Sequence, residues 1–201
     1  MIIVDVQQAS DQWFQEKIGK PSASNASKII TNEGKPSKQA DGYMYELAAE
    51  ILTGVREETF QSPFMATGVE REDESRKLYE LMHGVEVSQV GLVYKDDRKQ
   101  FLCSPDGIIN NEYGLELKNV QPKTQVKYLL DGDIPSEYFG QVQFSLYVTG
   151  FKFWDFMAYS PLLKPLVVRC YPDKKYQEAL DRELGIFCNE LKSIVTKLKG
   201  E

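Results

Sequence analysis

The stretch at residues 101–120, FLCSPDGIINNEYGLELKNV, limits what this chain can fold into more than any other part of the sequence. A run with strand character ends at residues 104–107, a polar turn follows over residues 110–114, and an apolar run returns at residues 115–118. Two strand-like runs joined by a polar turn predict a β-hairpin. The rest of the chain is interpreted around this hairpin.

One face of the predicted hairpin carries charged side chains. Side chains alternate along a strand, so Leu115 and Leu117 point one way while Glu116 and Lys118 point the other, and pairing can bring Asp106 beside them. Carboxylates suit a hard divalent cation such as Mg²⁺, and a nearby lysine can orient a nucleophilic water or offset charge on a phosphoryl oxygen. The alternative is a solvated face, because Asp-Gly and Glu-x-Lys are common on ordinary hairpins. The regular apolar interleaving favours the first interpretation.

The overall composition is that of a soluble globular protein. With 201 residues, 42% of them hydrophobic and 27% charged, the chain is expected to form one domain over residues 1–201 and contains no run long enough to span a membrane. Residues 1–5 lack the features of a secretory signal, and three scattered cysteines predict reduced thiols in the cytoplasm. The net charge of -6 counts against a non-specific nucleic-acid coat, but it is compatible with a metal-dependent nuclease.

A serine-rich segment follows the first predicted helix. Ser10 is expected to cap that helix, which ends at Gly19, and Ser22 or Ser24 is expected to cap the next one. The alternative is a phosphate pocket, built from free N–H groups at a helix start, a serine hydroxyl and the ammonium of Lys17. The residues alone favour the cap.

An acidic helix is predicted over residues 68–82. Glu72, Arg76 and Tyr79 fall on one stripe at helical spacing, so Glu72 leans inward. Glu72 either forms an ion pair with Arg76 or offers a third carboxylate to the metal cluster. The helix alone favours the ion pair.

The remaining periodicity predicts an α/β fold with a mixed central sheet and helices on both faces. Strands are predicted at residues 2–6, 85–96, 151–159 and 166–171, and loops at 31–41 and 61–63. Helices are predicted at 43–52, 121–132, 137–149 and after 173, and Asp173 is expected to cap the last of them. In the helix at 137–149, Gln141 and Gln143 lie roughly 200° apart around the axis. Only one of them can therefore face the hairpin.

Together these motifs resemble the phage lambda exonuclease family, also called the YqaJ viral recombinase group of alkaline exonucleases, in the PD-(D/E)xK nuclease superfamily. Five motifs occur in the family's order: residues 13–24 as W-x3-R-x-G-x-x-[ST]-A-S, 68–72 as G-x-x-x-E, 104–107 as S-P-D-G, 115–118 as L-E-[LIV]-K, and 141–143 as Q-V-Q. One departure is Lys17, which stands where the family has an arginine. The charge is kept, but bidentate phosphate geometry is lost.

The resemblance implies a restriction-endonuclease-like core and a Mg²⁺-dependent nuclease, with Mn²⁺ able to substitute and two metal ions at the site. Its activity would be to degrade one strand of linear duplex DNA from the 5′ end, leaving a 3′ overhang for recombination by strand annealing. A homotrimer ring and a single-strand annealing protein as partner are also implied. Two alternatives stay open: a structure- or sequence-specific endonuclease on the same scaffold, and an inactive DNA-end-binding recombination factor. The second must explain why Asp106, Glu116 and Lys118 are all present.

The resemblance also implies roles for individual residues. The implied metal ligands are Asp106, Glu116, the Leu117 carbonyl and, at a second metal position, Glu72. Lys118 would position or deprotonate the attacking water, with Gln141 supporting it. The residues implied to hold the 5′-phosphate are Lys17, Ser24 and Ser104. Only the resemblance gives Glu72 and Ser24 a functional role.

Overall fold

The computed structural model describes residues 1–56 and 71–200, and all counts refer to this part of the chain. The strands are β1 Ile2–Val4, β2 Leu92–Tyr94, β3 Leu102–Cys103, β4 Gly107–Ile109, β5 Tyr113–Asn119, β6 Trp154–Tyr159 and β7 Leu166–Cys170. The helices are α1 Asp11–Lys17, α2 Ala26–Ile29, α3 Ala40–Thr53, α4 Glu72–His83, α5 Pro122–Asp131, α6 Ser136–Thr149 and α7 Lys174–Lys199. The predicted loop at 61–63 and the predicted helix start at Gly68 lie outside the described residues.

The described strands form two sheets. Strands β1, β2 and β3 make an antiparallel sheet, and β4-β5-β6-β7 make a mixed one in which β5 and β6 run parallel while the outer pairs are antiparallel. Helices cover the mixed sheet on both sides, which confirms the predicted fold class.

The two faces of the mixed sheet pack against different helices. Leu115 and Leu117 of β5 lie in one apolar cluster with Tyr79 of α4. Trp154 and Phe156 of β6 point to the opposite face and join the main core with residues of α3, α6 and α7. The predicted two-residue alternation is therefore confirmed, and it turns the charged side chains of β5 away from α4.

The predicted hairpin forms, but its first strand is misplaced in the prediction. Strand β4 starts at Gly107, which pairs with Leu115, and the turn passes through Asn110 and Asn111 at φ values of 52° and 57°. The apolar run before it, β3, pairs instead with β2 in the other sheet. Pro105 has no N–H to continue a ladder, so the chain leaves one sheet there and enters the next.

Helix caps follow the sequence at two of the three predicted positions. The Ser10 hydroxyl accepts the Trp13 N–H at 3.2 Å, and Asp173 caps α7 by accepting the Tyr176 N–H at 2.9 Å. Capping by Ser22 or Ser24 was the wrong expectation.

Ser22 is engaged by its neighbours instead of by a helix N–H. Its hydroxyl lies 3.2 Å from that of Ser24 and accepts from the Asn25 amide at 3.3 Å, and no side-chain cap is formed at the short 3-10 turn Ala23–Asn25 or at α2. The strand predicted at 85–96 is also shorter than expected, since Ser88 makes only an isolated bridge to Ile108.

The three cysteines are free, as expected. Cys103 and Cys170 are buried and Cys188 is partly buried, all three as free thiols. Within the described ranges, none of the helices has the length and apolar character needed to cross a bilayer.

Candidate active site

Asp106 is fixed to the edge of β5 just before β4 begins. Its Oδ2 accepts the Leu117 backbone N–H at 2.6 Å, and its own N–H donates to the Leu115 carbonyl at 3.2 Å. The N–H and C=O of one strand residue point to the same edge. The Leu117 carbonyl therefore shares this edge with the Asp106 carboxyl group.

Glu116 forms the centre of a buried polar cluster on the same strand. Its Oε1 accepts from Lys118 Nζ at 2.5 Å and from Gln141 Nε2 at 2.6 Å. The side chain of Glu116 is 2% exposed and that of Lys118 is 26% exposed. Gln143 turns away, bonding the Tyr171 carbonyl and the Asp173 N–H, so a single glutamine of α6 faces the hairpin, as predicted.

The charges in this cluster oppose one another. Burial raises the pKa of Asp106 and raises that of Glu116 to about 7, although the Lys118 ammonium works in the opposite direction. Burial disfavours the charge on Lys118, yet Glu116 and Asp106 together raise its pKa. Two carboxyl groups that share one ammonium away from water are a place where a bound cation would relieve charge repulsion.

Glu72 forms the ion pair that its helix alone favoured. Its Oε1 lies 2.5 Å from Arg76 Nη2, so the ion pair exists. Burial and then the charge of Asp106 raise the pKa of Glu72, which places its carboxyl group within electrostatic reach of the site.

The four predicted metal ligands are not gathered into one cluster. Among residues 1–56 and 71–200, no group of three or more His, Cys, Asp or Glu side chains is arranged to hold an ion. Mg²⁺ typically takes one or two carboxylates and keeps several waters. The donor set of Asp106, Glu116 and the Leu117 carbonyl fits such an ion, whereas Glu72 would have to release Arg76 to join it.

Lys17 and Ser104 meet at Trp13. The Lys17 ammonium lies 3.7 Å from the Trp13 ring centroid, and the Trp13 Nε1–H donates to Ser104 Oγ at 3.0 Å. Burial and then the charge of Arg56 lower the pKa of Lys17 to about 7, partly offset by Glu50.

Ser24 does not line the same pocket as Lys17, although its hydroxyl lies 3.2 Å from that of Ser22, which does. Ser24 lines a separate cavity of about 710 Å³, which also reaches Gln141, whereas Lys17 lines a pocket of about 190 Å³ together with Ser22 and Arg56. Arg56 belongs to none of the sequence motifs, and it meets Lys17 only in the folded chain, where both line this pocket.

Comparisons with known proteins identify the family and the fold of the chain. A family model described as the YqaJ-like viral recombinase domain matches residues 12–152. The crystal structure of an alkaline exonuclease (LHK-Exo) from Laribacter hongkongensis superposes with a TM-score of 0.85 at 27% identity, over 94% of this chain and 96% of that chain. The same values hold for LHK-Exo in complex with dAMP.

Two further similarities were found, one to a solved structure and one to a viral protein sequence. A phage related exonuclease from Haemophilus somnus 129PT has a TM-score of 0.67 at 12% identity, over 89% of this chain and 96% of that one, and shares the fold. An uncharacterized protein of Acanthamoeba polyphaga mimivirus is 28% identical over 169 residues, which cover 77% of this chain. The chain spans only 29% of the length of that curated relative.

Proposed function

The chain belongs to the YqaJ-like viral recombinase domain family, and on that premise we propose that it is a Mg²⁺-dependent exonuclease. It would digest one strand of linear duplex DNA from the 5′ end and leave a 3′ overhang for strand annealing. The observation that carries the proposal is the buried polar cluster in which Glu116 accepts from Lys118 and Gln141. The Asp106 carboxyl group, held by the Leu117 N–H of the same strand, interacts electrostatically with Glu116 and Lys118. The likeness to an alkaline exonuclease supports the same activity.

Each carboxylate in the cluster presents one oxygen to a cation. Within the described residues, the contacts to Glu116 reach Oε1 and the side-chain contact to Asp106 reaches Oδ2. Glu116 Oε2 and Asp106 Oδ1, together with the Leu117 carbonyl, would then be the oxygens that hold the metal ion. When bound, Mg²⁺ supplies a Lewis acid that offsets charge on the phosphoryl oxygens.

The remaining side chains orient the nucleophile. Gln141 fixes the rotamer of Glu116, and the Lys118 ammonium, which has further N–H donors beyond its bond to Glu116, positions the attacking water. Glu72 would complete a second metal position by exchanging Arg76 for the ion. Mn²⁺ offers the same preference for oxygen ligands and would substitute for Mg²⁺.

The substrate end and the assembly are part of the same proposal. Lys17, Ser24 and Ser104 would hold the 5′-phosphate of the strand being cut, which the shared contact of Lys17 and Ser104 with Trp13 supports. A homotrimer ring and a single-strand annealing protein as partner rest on the family resemblance.

One assay tests the activity. Linear duplexes with 5′-phosphate or 5′-hydroxyl ends and closed circular duplex are incubated with Mg²⁺, with Mn²⁺ and with EDTA. We expect digestion of linear duplex with either metal, intact circles, and no reaction in EDTA. Cleavage of closed circles would replace the exonuclease proposal with an endonuclease, and binding of ends without any cleavage would indicate an inactive end-binding factor.

A further inference from the structure

A small basic pocket lies between α1, α2 and α3, about 190 Å³ in volume, and is called the Lys17 pocket below. Its cationic side chains are Lys17, Lys20, Lys28 and Arg56, and its acidic ones are Glu46 and Glu50. Lys28 is neutralised by Glu46 at 2.8 Å. The pocket therefore carries an excess of positive charge in a chain whose net charge is -6.

Arg56 contributes a guanidinium with unused hydrogen-bonding capacity. Its Nε lies 3.8 Å from Glu50 Oε1, while Glu50 Oε2 is held by the Gly19 N–H at 2.8 Å. Its Nη1 is buried and has no hydrogen-bond partner within the described part of the chain. A buried N–H without an acceptor is costly, so an acceptor oxygen from a ligand would stabilise it.

Lys17 and Arg56 are held close together although they carry the same charge. Lys17 is buried over the Trp13 ring, and Arg56 is the neighbouring charge that opposes its protonation most. Ser22 and Asn25 line the pocket beside them and add neutral donors. Paired cations with unsatisfied donors in a confined space are the features of an anion site.

The size of the pocket limits the anion. Pockets for drug-sized ligands are typically about 300–1,000 Å³, so this pocket suits a small anionic group and not a whole nucleoside. A phosphate monoester fits in both size and charge. Two of its oxygens can each accept one N–H from the fork of a guanidinium. The ammonium of Lys17 does not offer this bidentate geometry.

We propose that Arg56 is the second cation of this pocket and that Arg56 and Lys17 together bind the terminal 5′-phosphate of a DNA end. This inference rests on the proposed exonuclease function. It assigns the guanidinium for the phosphate to the segment that follows α3 and makes Arg56 a residue that distinguishes phosphorylated from hydroxyl ends.

The test compares Arg56→Gln and Arg56→Lys with wild type and with Arg98→Gln. Arg98 is the matched control, because its guanidinium is 69% exposed and is paired with Asp96 at 2.6 Å, outside the Lys17 pocket. Binding of a short duplex with a 5′-phosphate or a 5′-hydroxyl end is measured by fluorescence anisotropy in Ca²⁺, and initial digestion rates are measured in Mg²⁺. Thermal melting of each variant checks its fold.

We expect wild type and Arg98→Gln to prefer the phosphorylated end, Arg56→Gln to lose that preference by tenfold or more, and Arg56→Lys to fall between them. The quantity compared is the ratio of affinity, and of digestion rate, for the phosphorylated end to that for the hydroxyl end. Should Arg56→Gln fail to fold, this ratio measured for Arg56→Lys decides. The inference is overturned if the Arg56 variants keep the wild-type ratio, if they weaken both ends equally, or if wild type has no preference. In each of those cases the proposed function stands as long as wild type digests linear ends; if wild type neither binds nor digests duplex, the proposed function fails as well.

Discussion

At the scale of single residues, the site depends on carboxyl groups that are held in place from one side only. Asp106 is tied to the Leu117 N–H, and Glu116 to Lys118 and Gln141. Burial raises the pKa of both carboxyl groups, so their ionised forms are less favourable than in water and a bound cation would stabilise them. Metal binding and stability should therefore be coupled at these two positions.

We expect Mg²⁺ and Ca²⁺ each to raise the melting temperature of the wild type, because an ion that binds only the folded state stabilises it. Glu116→Gln and Asp106→Asn should lose that increase and lower the digestion rate by about a hundredfold or more, since they remove metal ligands. Glu112→Gln, in the exposed turn of the same hairpin, is the control. Ca²⁺ should not support cleavage, because its longer and looser coordination misplaces the attacking water. A wild-type metal response in either site variant would contradict the assignment.

A second residue-scale prediction concerns Lys17, whose pKa falls from 10.5 to about 7 through burial and the charge of Arg56, against the opposing charge of Glu50. Between these pH values the folded state binds fewer protons than the unfolded chain. The stability of the wild type relative to Lys17→Met should therefore rise with pH from about 7 to 10.5, by at most about 1.4 kcal/mol per pH unit.

Urea unfolding at a series of pH values measures this difference, with Lys152→Met at an exposed position as the control for losing a lysine. Below pH 7 the difference should stay constant. A difference that does not change between pH 7 and 10 would mean that Lys17 is solvated or paired in the folded protein.

At the scale of elements, the position of Asp106 depends on the close approach of β4 to the segment before β2. A Cβ atom at Gly107 would lie 2.1 Å from Val87 Cγ1, so any larger residue there must displace β4 or Val87. Gly107 directly follows Asp106 and pairs with Leu115 of β5. The spacing of these strands thus fixes the carboxyl group at the edge of β5.

Gly107→Ala should reduce the free energy of unfolding by about 1–3 kcal/mol, as overpacking of a core does, and should reduce activity by moving Asp106. The double variant Gly107→Ala with Val87→Ala should recover activity, because the obstructing methyl group is removed. Gly42→Ala in α3, where a Cβ meets nothing within 4 Å, is the matched control and should not destabilise the protein. Melting curves and digestion rates measure both effects. If the double variant is as inactive as Gly107→Ala, the contact with Val87 does not control the site.

The sequence correctly predicted the features that depend on residues close together in the chain. Strand alternation separated Leu115 from Glu116, and the caps at Ser10 and Asp173 were correct because a side chain reaching three residues ahead is a local event. The split between β3 and β4 and the engagement of Ser22 were missed. Both depend on which distant segment supplies a hydrogen-bond partner, and periodicity carries no such information.

At the scale of the whole molecule, the polar cluster and the Lys17 pocket are built from segments far apart in sequence. Asp106 and Glu116 come from one hairpin and Gln141 from α6, whereas Lys17 comes from α1 and Arg56 from the segment after α3. The sequence motifs pointed to most of these residues because Asp106, Glu116, Lys118 and Gln141 all lie in motifs of the family that the chain resembles. Arg56 could not be found in this way, because only the packed helices bring it to Lys17.

The family resemblance predicts a homotrimer, so light scattering on the purified protein should give about three times the 23.0 kDa mass of one chain. A ring of subunits would keep the enzyme on one DNA molecule, so the trimer should digest many nucleotides per encounter in the presence of competitor DNA. A chain that is monomeric at micromolar concentration and still digests DNA would contradict the ring.

The stacking of Lys17 on Trp13 also gives the protein a built-in optical probe. The chain has two tryptophans, and Trp154 is fully buried in the core, where its emission should stay constant. Trp13 is only partly buried and touches both the Lys17 ammonium and Ser104. An anion that draws the ammonium away from the indole would change the emission of Trp13 alone, so the capture of a DNA end could be followed in real time without attaching a dye.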